Sequence, residues 1–261
     1  MNVGSDIGFV GLAASVTLVL VAIGISAWRK LGLEANVAFA AVRAALQLLA
    51  VGLVLDLVID PKRPLILSWL WVVGMIGFAA YTTGKRAPEV PHAARISVVA
   101  YTLSSVVCLG VLFGLQIFPM NGRTIVPIAG LVVGNALSST VLVARRIVAE
   151  MSEKREEIEA RLALGLTSTE AGRPYLRFAV RTALIPQIET TKAVGIVFLP
   201  GAMVGLILAG AKPLGAVKVQ AAVMYVVLAS VTTTTTAVAI GLSRQLFTKD
   251  HRLVRLARER S

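Results

Sequence analysis

Long apolar runs alternate along this chain with short basic or mixed stretches. A helical membrane crossing needs about 20 mostly apolar residues. Seven runs fit: residues 7–28, 37–59, 65–83, 96–118, 125–144, 193–211 and 216–243. None shows the strict alternation of a strand, so the pattern predicts an all-α, polytopic integral membrane protein with about seven transmembrane helices. The first run has no basic stretch before it and no small-residue cleavage site after it, and it reads as a retained span. The sixth run is interrupted at its centre by Pro200-Gly201, within Ile196-Val197-Phe198-Leu199-Pro200-Gly201-Ala202-Met203. Proline removes an amide donor and glycine loosens the backbone. In lipid such a break survives where protein or a water-filled cavity satisfies the freed groups, the arrangement of many transport sites.

Composition agrees with the pattern. Mean hydropathy is +0.80 and 15% of residues are charged, against about 25% for a soluble domain. The net charge is +12. Because the charge lies between apolar runs, it points to a membrane surface and lipid rather than to nucleic acid. Most of the lysines and arginines fall on alternate loops: Arg29 and Lys30; Lys85, Arg86 and Arg95; nine residues of the segment 145–192; and the tail 244–261. The positive-inside rule then places the C-terminus in the cytoplasm and, with seven spans, the N-terminus outside. The whole chain, 1–261, reads as one transmembrane domain carrying a cytoplasmic coupling segment at 145–192 and a basic cytoplasmic tail. Cys108 is the single cysteine, so no intrachain disulfide or redox pair is available.

The long segment between the fifth and sixth spans holds the most specific local signal. Glu150 and Lys154 have helical spacing and predict that span five continues into water. Glu159, Ala160, Arg161, Leu162, Ala163 and Leu164 then read as a short helix stopped at Gly165. Thr167 starts a second helix, with Glu170 placed to complete a capping box. Leu162, Leu164 and Leu166 would face water, as contact residues do. The spacing Glu159-Ala160-x-x-x-x-Gly165 resembles the cytoplasmic loop of ATP-binding-cassette importer permeases, which implies a helix that docks on a partner ATPase; the other reading is a re-entrant or interfacial helix lying on the bilayer.

Polar residues inside spans are functional candidates because lipid offers them no partner. Gln47 shares a helix face with Arg43; Asn135 sits mid-span beside Gly134; Gln220 lies near the outer end of the last run. Gln187 and Glu189, the latter paired with Lys192, precede the broken run as a gate or an interfacial anchor. With Pro200, Gly201 and Met203 these form the candidate substrate pathway, although Asn135 serves helix packing equally well. No Gly-x-x-x-x-Gly-Lys-[Ser/Thr] loop, His-Glu-x-x-His or nucleophile motif occurs. The chain is therefore expected to be a transport subunit, not an enzyme, with no cofactor of its own.

Four blocks carry a resemblance: Arg43-Ala44-Ala45-Leu46-Gln47; Pro127-Ile128-Ala129-Gly130 with Gly134-Asn135; Arg161-Leu162-Ala163-Leu164-Gly165 with Ala183-Leu184-Ile185-Pro186; and Leu199-Pro200-Gly201 with Pro213-Leu214 and Gln220. Together they resemble the iron-export permease family of ABC transporters, of FetB type, which includes plant aluminium-sensitivity permeases. The resemblance implies a homodimeric permease in the bacterial cytoplasmic membrane. A cytoplasmic ABC ATPase subunit would bind ATP and Mg and dock on residues 159–165. The exported solute would be a metal ion such as iron or, as in some plant members, a nucleotide sugar. Relatives usually carry methionine where Leu131 and Ala202 stand, and often threonine and glutamine where Val204 and Leu206 stand, so four potential ligands of a metal are missing here. Two alternatives remain: an ion-coupled secondary transporter, which would need buried carboxylates that the spans almost lack, and a structural or assembly membrane protein, which would bind a partner without moving solute.

Overall fold

The computed structural model describes residues 9–248, 250 and 252–254. The start of the first expected span and residues 255–261 of the tail lie outside them. Nine α-helices follow one another among the described residues: α1 (Phe9–Trp28), α2 (Glu34–Ile59), α3 (Leu65–Arg86), α4 (Ala93–Gly114), α5 (Gly122–Glu153), α6 (Arg155–Ala163), α7 (Ser168–Ala193), α8 (Gly201–Leu208) and α9 (Pro213–Leu246). Five of them are long and apolar enough to cross a membrane: Glu34–Leu55 within α2, then α3, α4, α5 and α9. A shorter apolar stretch, Ala14–Trp28, lies in α1. The run expected at 193–211 is not a helix of spanning length, because residues 194–200 are not helical.

The centre of the molecule is a bundle of α3, α4, α5 and α9, with α7 laid against α5 and α9. Tyr101, Ile125, Val132, Val143, Val231 and Leu242 are fully enclosed within it. Small residues let these helices approach closely, the usual basis of packing between helices in lipid. A Cβ added at Gly241 on α9 would lie 2.7 Å from Ile96 Cγ2 on α4. Buried hydroxyls bond across the helices. Ser230 Oγ donates to the Val132 carbonyl at 2.7 Å, and Ser104 Oγ donates to the Ser230 carbonyl at 3.2 Å. Within the five-threonine run, Thr234 bonds the carbonyl one turn back, as helical threonines do. Thr232 and Thr236 face outward.

The N-terminal hairpin is attached differently. α1 packs on α2 alone. α2 is docked at its C-terminal end, where Ser68 Oγ donates to the Val58 carbonyl at 3.1 Å. Gly122, at the start of α5, sits so close to this end that a Cβ would lie 2.9 Å from Ser68 Oγ and 3.1 Å from the Val58 carbonyl.

Candidate functional site

Three helix ends meet at one pole of the bundle. A Cβ on Gly172, near the start of α7, would lie 3.1 Å from the Phe247 ring just past α9 and 3.3 Å from Met151 near the end of α5. The Arg146 guanidinium lies over the Phe178 ring, 5.1 Å from its centroid. α7 therefore runs antiparallel to both α5 and α9, starting where they end. This pole is rich in charge. Arg146 pairs with the buried Glu150 at 2.6 Å, and Arg145 with Glu89 at 2.6 Å. Arg155 pairs with Glu159 at 2.7 Å, and its guanidinium also donates to the carbonyls of Leu253 and Val254. That contact holds the described part of the tail against α6.

The helix–turn–helix expected at 159–171 is present. α5 runs on to Glu153, as the Glu150–Lys154 spacing anticipates, and α6 ends at Ala163. Gly165 takes φ +88°, a conformation that suits glycine and closes the helix. Thr167 caps α7: its hydroxyl accepts from the Glu170 amide, and the Glu170 carboxylate accepts from the Thr167 amide at 3.0 Å. The Thr167 hydroxyl beside it holds the Glu170 carboxyl below its ordinary range. Ile158 is fully buried beneath the turn. One expectation is corrected here. Leu162 and Leu166 do not face water; both pack against the core. Leu164 does, at 83% exposure. Glu159, Ala160 and Gly165 are exposed beside it, and Arg161 is half-buried, donating weakly to the Glu170 carbonyl. The turn therefore presents a single large apolar side chain at its tip.

The interrupted run is also present, with a different frame. α7 carries the chain from the charged pole along the bundle for about 39 Å, at 1.5 Å per residue. Pro186 inside it cannot donate to the carbonyl one turn back. After Ala193 the chain turns through Gly195 at φ +84°, whose amide donates to the Phe198 carbonyl at 2.9 Å. Pro200 then starts α8, which rests only on α9. The discontinuity therefore occupies residues 194–200, and Pro200-Gly201 marks its end. Ile196 is 91% exposed.

The candidate pathway residues do not converge. Gln47 is exposed on α2 and Arg43 is exposed one turn before it. Asn135 is exposed and donates to the Leu131 carbonyl of its own helix at 2.9 Å, not to a neighbouring helix. Glu189 pairs with Lys192 at 2.9 Å on the exposed side of α7, and Gln187 beside them is half-buried. Pro200 and Met203 are half-buried and Gly201 is exposed. Gln220 is buried, and its carbonyl oxygen has no hydrogen-bond partner among the described residues. None of the eight lines any of the five principal cavities of the single chain. No group of three or more His, Cys, Asp or Glu comes together as a metal site among the described residues.

The largest of these five cavities lies elsewhere, at a place the pathway residues do not reach. It is an open groove of about 1420 Å³ between α7 and α9. Arg173, Arg177 and Arg181 line it from α7, and Arg244 from α9. Their spacing of four residues along α7 is visible in the sequence, where it signals one helix face.

Residues 9–247 match the model of the family described as Uncharacterised protein family (UPF0014). The chain is 35% identical to the UPF0014 membrane protein STAR2 of Oryza sativa subsp. japonica, over 87% of this chain and 79% of that one. It is 33% identical to the probable iron export permease protein FetB of Escherichia coli, over 93% of each. It is 31% identical to the protein ALUMINUM SENSITIVE 3 of Arabidopsis thaliana, over 94% of this chain and 90% of that one. No solved structure matches. A match of this extent, on an all-helical chain with several helices able to span a bilayer, means that the protein belongs to the UPF0014 family of multi-pass membrane proteins.

Proposed function

We propose that this chain is the permease subunit of an ATP-driven ABC transporter, working as a homodimer in a bacterial cytoplasmic membrane with a separate cytoplasmic ATPase. The observation that carries this reading is the turn at Leu164-Gly165. Two helices joined by the Tyr175 hydroxyl donating to Glu157, over a buried Ile158 and with a capping box at the start of the second, present one exposed leucine beyond the bundle. An apolar knob on a rigid, charged mount is suited to a pocket on another protein. Leu162 and Leu166 anchor the turn from beneath, so a force on Leu164 passes directly into α7. With the charged pole on the cytoplasmic side, seven crossings result if α1 counts as one and α7 with α8 as another. The discontinuity at 194–200 then lies about 22 Å along α7 from the level of Arg146 and Phe178. That is inside a hydrocarbon layer of about 30 Å. Movement of the docked turn would reach this break through α7.

A second copy is supported by the surfaces left open. Arg43 and Gln47 share a face of α2 that this chain does not cover, and such groups in a span face protein or water, not lipid. Export of a metal ion such as iron is suggested by the relative named as an iron export permease. A nucleotide sugar or another organic solute is the second reading, favoured by Leu131, Ala202, Val204 and Leu206, whose side chains offer no ligating atom.

The test is Leu164→Asp in the permease co-purified with its ATPase. Burying an aspartate in an apolar pocket is expected to weaken the complex at least about tenfold and abolish ATP-driven flux in proteoliposomes. Flux that persists without any ATPase would favour an ion-coupled secondary transporter instead. A Leu164→Asp complex with normal assembly and flux would overturn the docking claim.

A further inference from the structure

The groove between α7 and α9 has a graded lining. Toward the charged pole it is walled by Arg173, Arg177 and Arg244. Further along α7 and back along α9 it is walled by Ile185 and Ile240, with Arg181 and Phe178 between the two zones. Phe178, Ile185 and Ile240 are each about half exposed. No carboxylate lines the groove. The four arginines are also unlike their neighbours. Arg145, Arg146, Arg155, Lys154 and Lys192 each have an acidic partner within 3 Å. Arg177, Arg181 and Arg244 have no ion pair or hydrogen bond among the described residues, and Arg173 acts on Glu170 only through its field. Three unpaired guanidinium groups on a concave wall that is otherwise mostly apolar, with Thr169, Thr182, Thr236 and Ser243 among its few other polar residues, make a cation-lined amphipathic slot. A free metal cation would be repelled from it. An inorganic anion would leave most of its volume and all of its apolar wall unused.

We propose that this groove seats an anionic phospholipid of the cytoplasmic leaflet. Its phosphate lies among Arg177, Arg181 and Arg244, and an acyl chain lies along Ile185 and Ile240. Guanidinium groups suit this role because their forked donors match phosphate oxygens. The spacing of Arg177 and Arg181, about 6 Å along the helix axis, lets two forks close on one headgroup. The apolar half of the groove points along the bundle into the bilayer, the direction an acyl chain must take. The choice of leaflet rests on the cytoplasmic placement of the charged pole; the seat itself does not. A lipid held here would touch both the helix that carries the docking turn and the last helix of the bundle, and would set how far they part.

The experiment measures lipid binding to the purified full-length chain in detergent, by native mass spectrometry and thermal shift. Dioleoylphosphatidylglycerol is compared with dioleoylphosphatidylcholine, and both with inorganic pyrophosphate and adenosine diphosphate. Phosphatidylglycerol should bind and raise the Tm, and phosphatidylcholine should do neither. The triple variant R177Q/R181Q/R244Q should lose roughly a hundredfold in affinity, at about fivefold per arginine. The variant K62Q/R63Q/R123Q, which removes as much charge from exposed positions near the opposite ends of α5 and α3, should bind as the wild type does. If the triple variant does not fold, phenylglyoxal footprinting of the wild type replaces it, and phosphatidylglycerol must protect Arg177, Arg181 and Arg244. Equal binding of the two lipids, or equal loss in the two triple variants, would overturn the proposal. So would tighter binding of pyrophosphate or the nucleotide, which would make the groove a solute site. None of these readings involves the ATPase, so a failure of ATPase docking leaves the lipid seat standing, and the reverse.

Discussion

The central bundle and the N-terminal hairpin are made of similarly apolar helices, yet they are held in different ways. Half of the most apolar window of α5 is buried inside the chain; in α2 none of it is. The bundle contains fully enclosed side chains, interhelical hydroxyl bonds and glycines pressed against neighbouring helices. The hairpin has one point of attachment, where α2 meets α3 and α5. Leu18, Leu48 and Leu53 are more than 70% exposed along it. Hydrophobicity alone therefore does not mark what this chain packs against itself. It marks what must avoid water, and lipid satisfies that need as well as protein does. Small residues are present in both regions; what separates them is that in the bundle such residues and hydroxyls lie against a neighbouring helix, whereas Gly24 and Gly52 of the hairpin face open space.

The sharpest way to break this comparison is to make the same truncation in both regions. Leu242→Ala, at a fully buried position on α9, should destabilise by about 2–5 kcal/mol, because it leaves a cavity in a close-packed core. Leu53→Ala, at 84% exposure on α2, should cost less than about 0.5 kcal/mol. Thermal melts of the purified variants in detergent measure both. A large cost at Leu53 would mean that α2 is covered in the purified protein, and cross-linking would then show whether a second copy covers it.

A smaller effect is expected where the hairpin attaches. Gly122→Ala forces a Cβ against the backbone of Val58 and Ile59. Backbone cannot rotate away as a side chain can, so the cost should be about 1–3 kcal/mol, typical of overpacking. The strain falls on the junction, so the loss should appear as movement of the hairpin. Limited proteolysis in the segment between α2 and α3 should speed up, while the melt of the bundle shifts little. A variant that melts early with no gain in cleavage would show that α2 is bound more broadly than its contacts indicate.

The sequence foretells the turn better than it foretells α7. Thr167, Glu170 and Gly165 act through their own backbone and their nearest neighbours, so spacing alone reveals them. The break near Pro200 is legible for the same reason, although its start at residue 194 is not. α7 escapes notice as an element of the bundle because its buried face is made of Ala171, Gly172, Ala179 and Ala183. These pack closely while adding little hydropathy, and arginines on the outer face lower the average further. Leu162 and Leu166 escape for a tertiary reason: α6 folds back far enough for the core to cover them. The groove is partly legible in the sequence. Arg173, Arg177 and Arg181 recur every four residues, but counting them only as topology signals hides that they share a face. The contribution of Arg244 from α9 is visible only once the two helices are seen to run antiparallel.

The finest contrast lies within the charged pole, where local hydrogen bonds hold the turn together with the burial of Ile158, Leu162 and Leu166. Thr167→Ala removes one half of the capping box and should cost about 1 kcal/mol. Its pH dependence distinguishes the cap from simple helix propensity. The Glu170 carboxyl is held below its ordinary value, first by the Thr167 hydroxyl and then by the Thr167 amide. Glu157 is lowered as well, first by Lys154 and then by the Tyr175 hydroxyl. A carboxyl with a depressed folded pKa adds stability that is fully present above its unfolded value, near 4.5, and is lost as the pH falls through the folded value. The wild-type turn should therefore hold its stability down to about pH 5 and weaken below that. Hydrogen exchange at the amides of residues 167–170 would report the change. In Thr167→Ala the acid weakening should shrink, because the hydroxyl that lowers Glu170 is gone, while the step owed to Glu157 remains. If the variant and the wild type weaken in parallel as the pH falls, Glu170 is not what holds the turn, and Leu164 owes its rigid mount to Ile158 and the Tyr175–Glu157 bond instead.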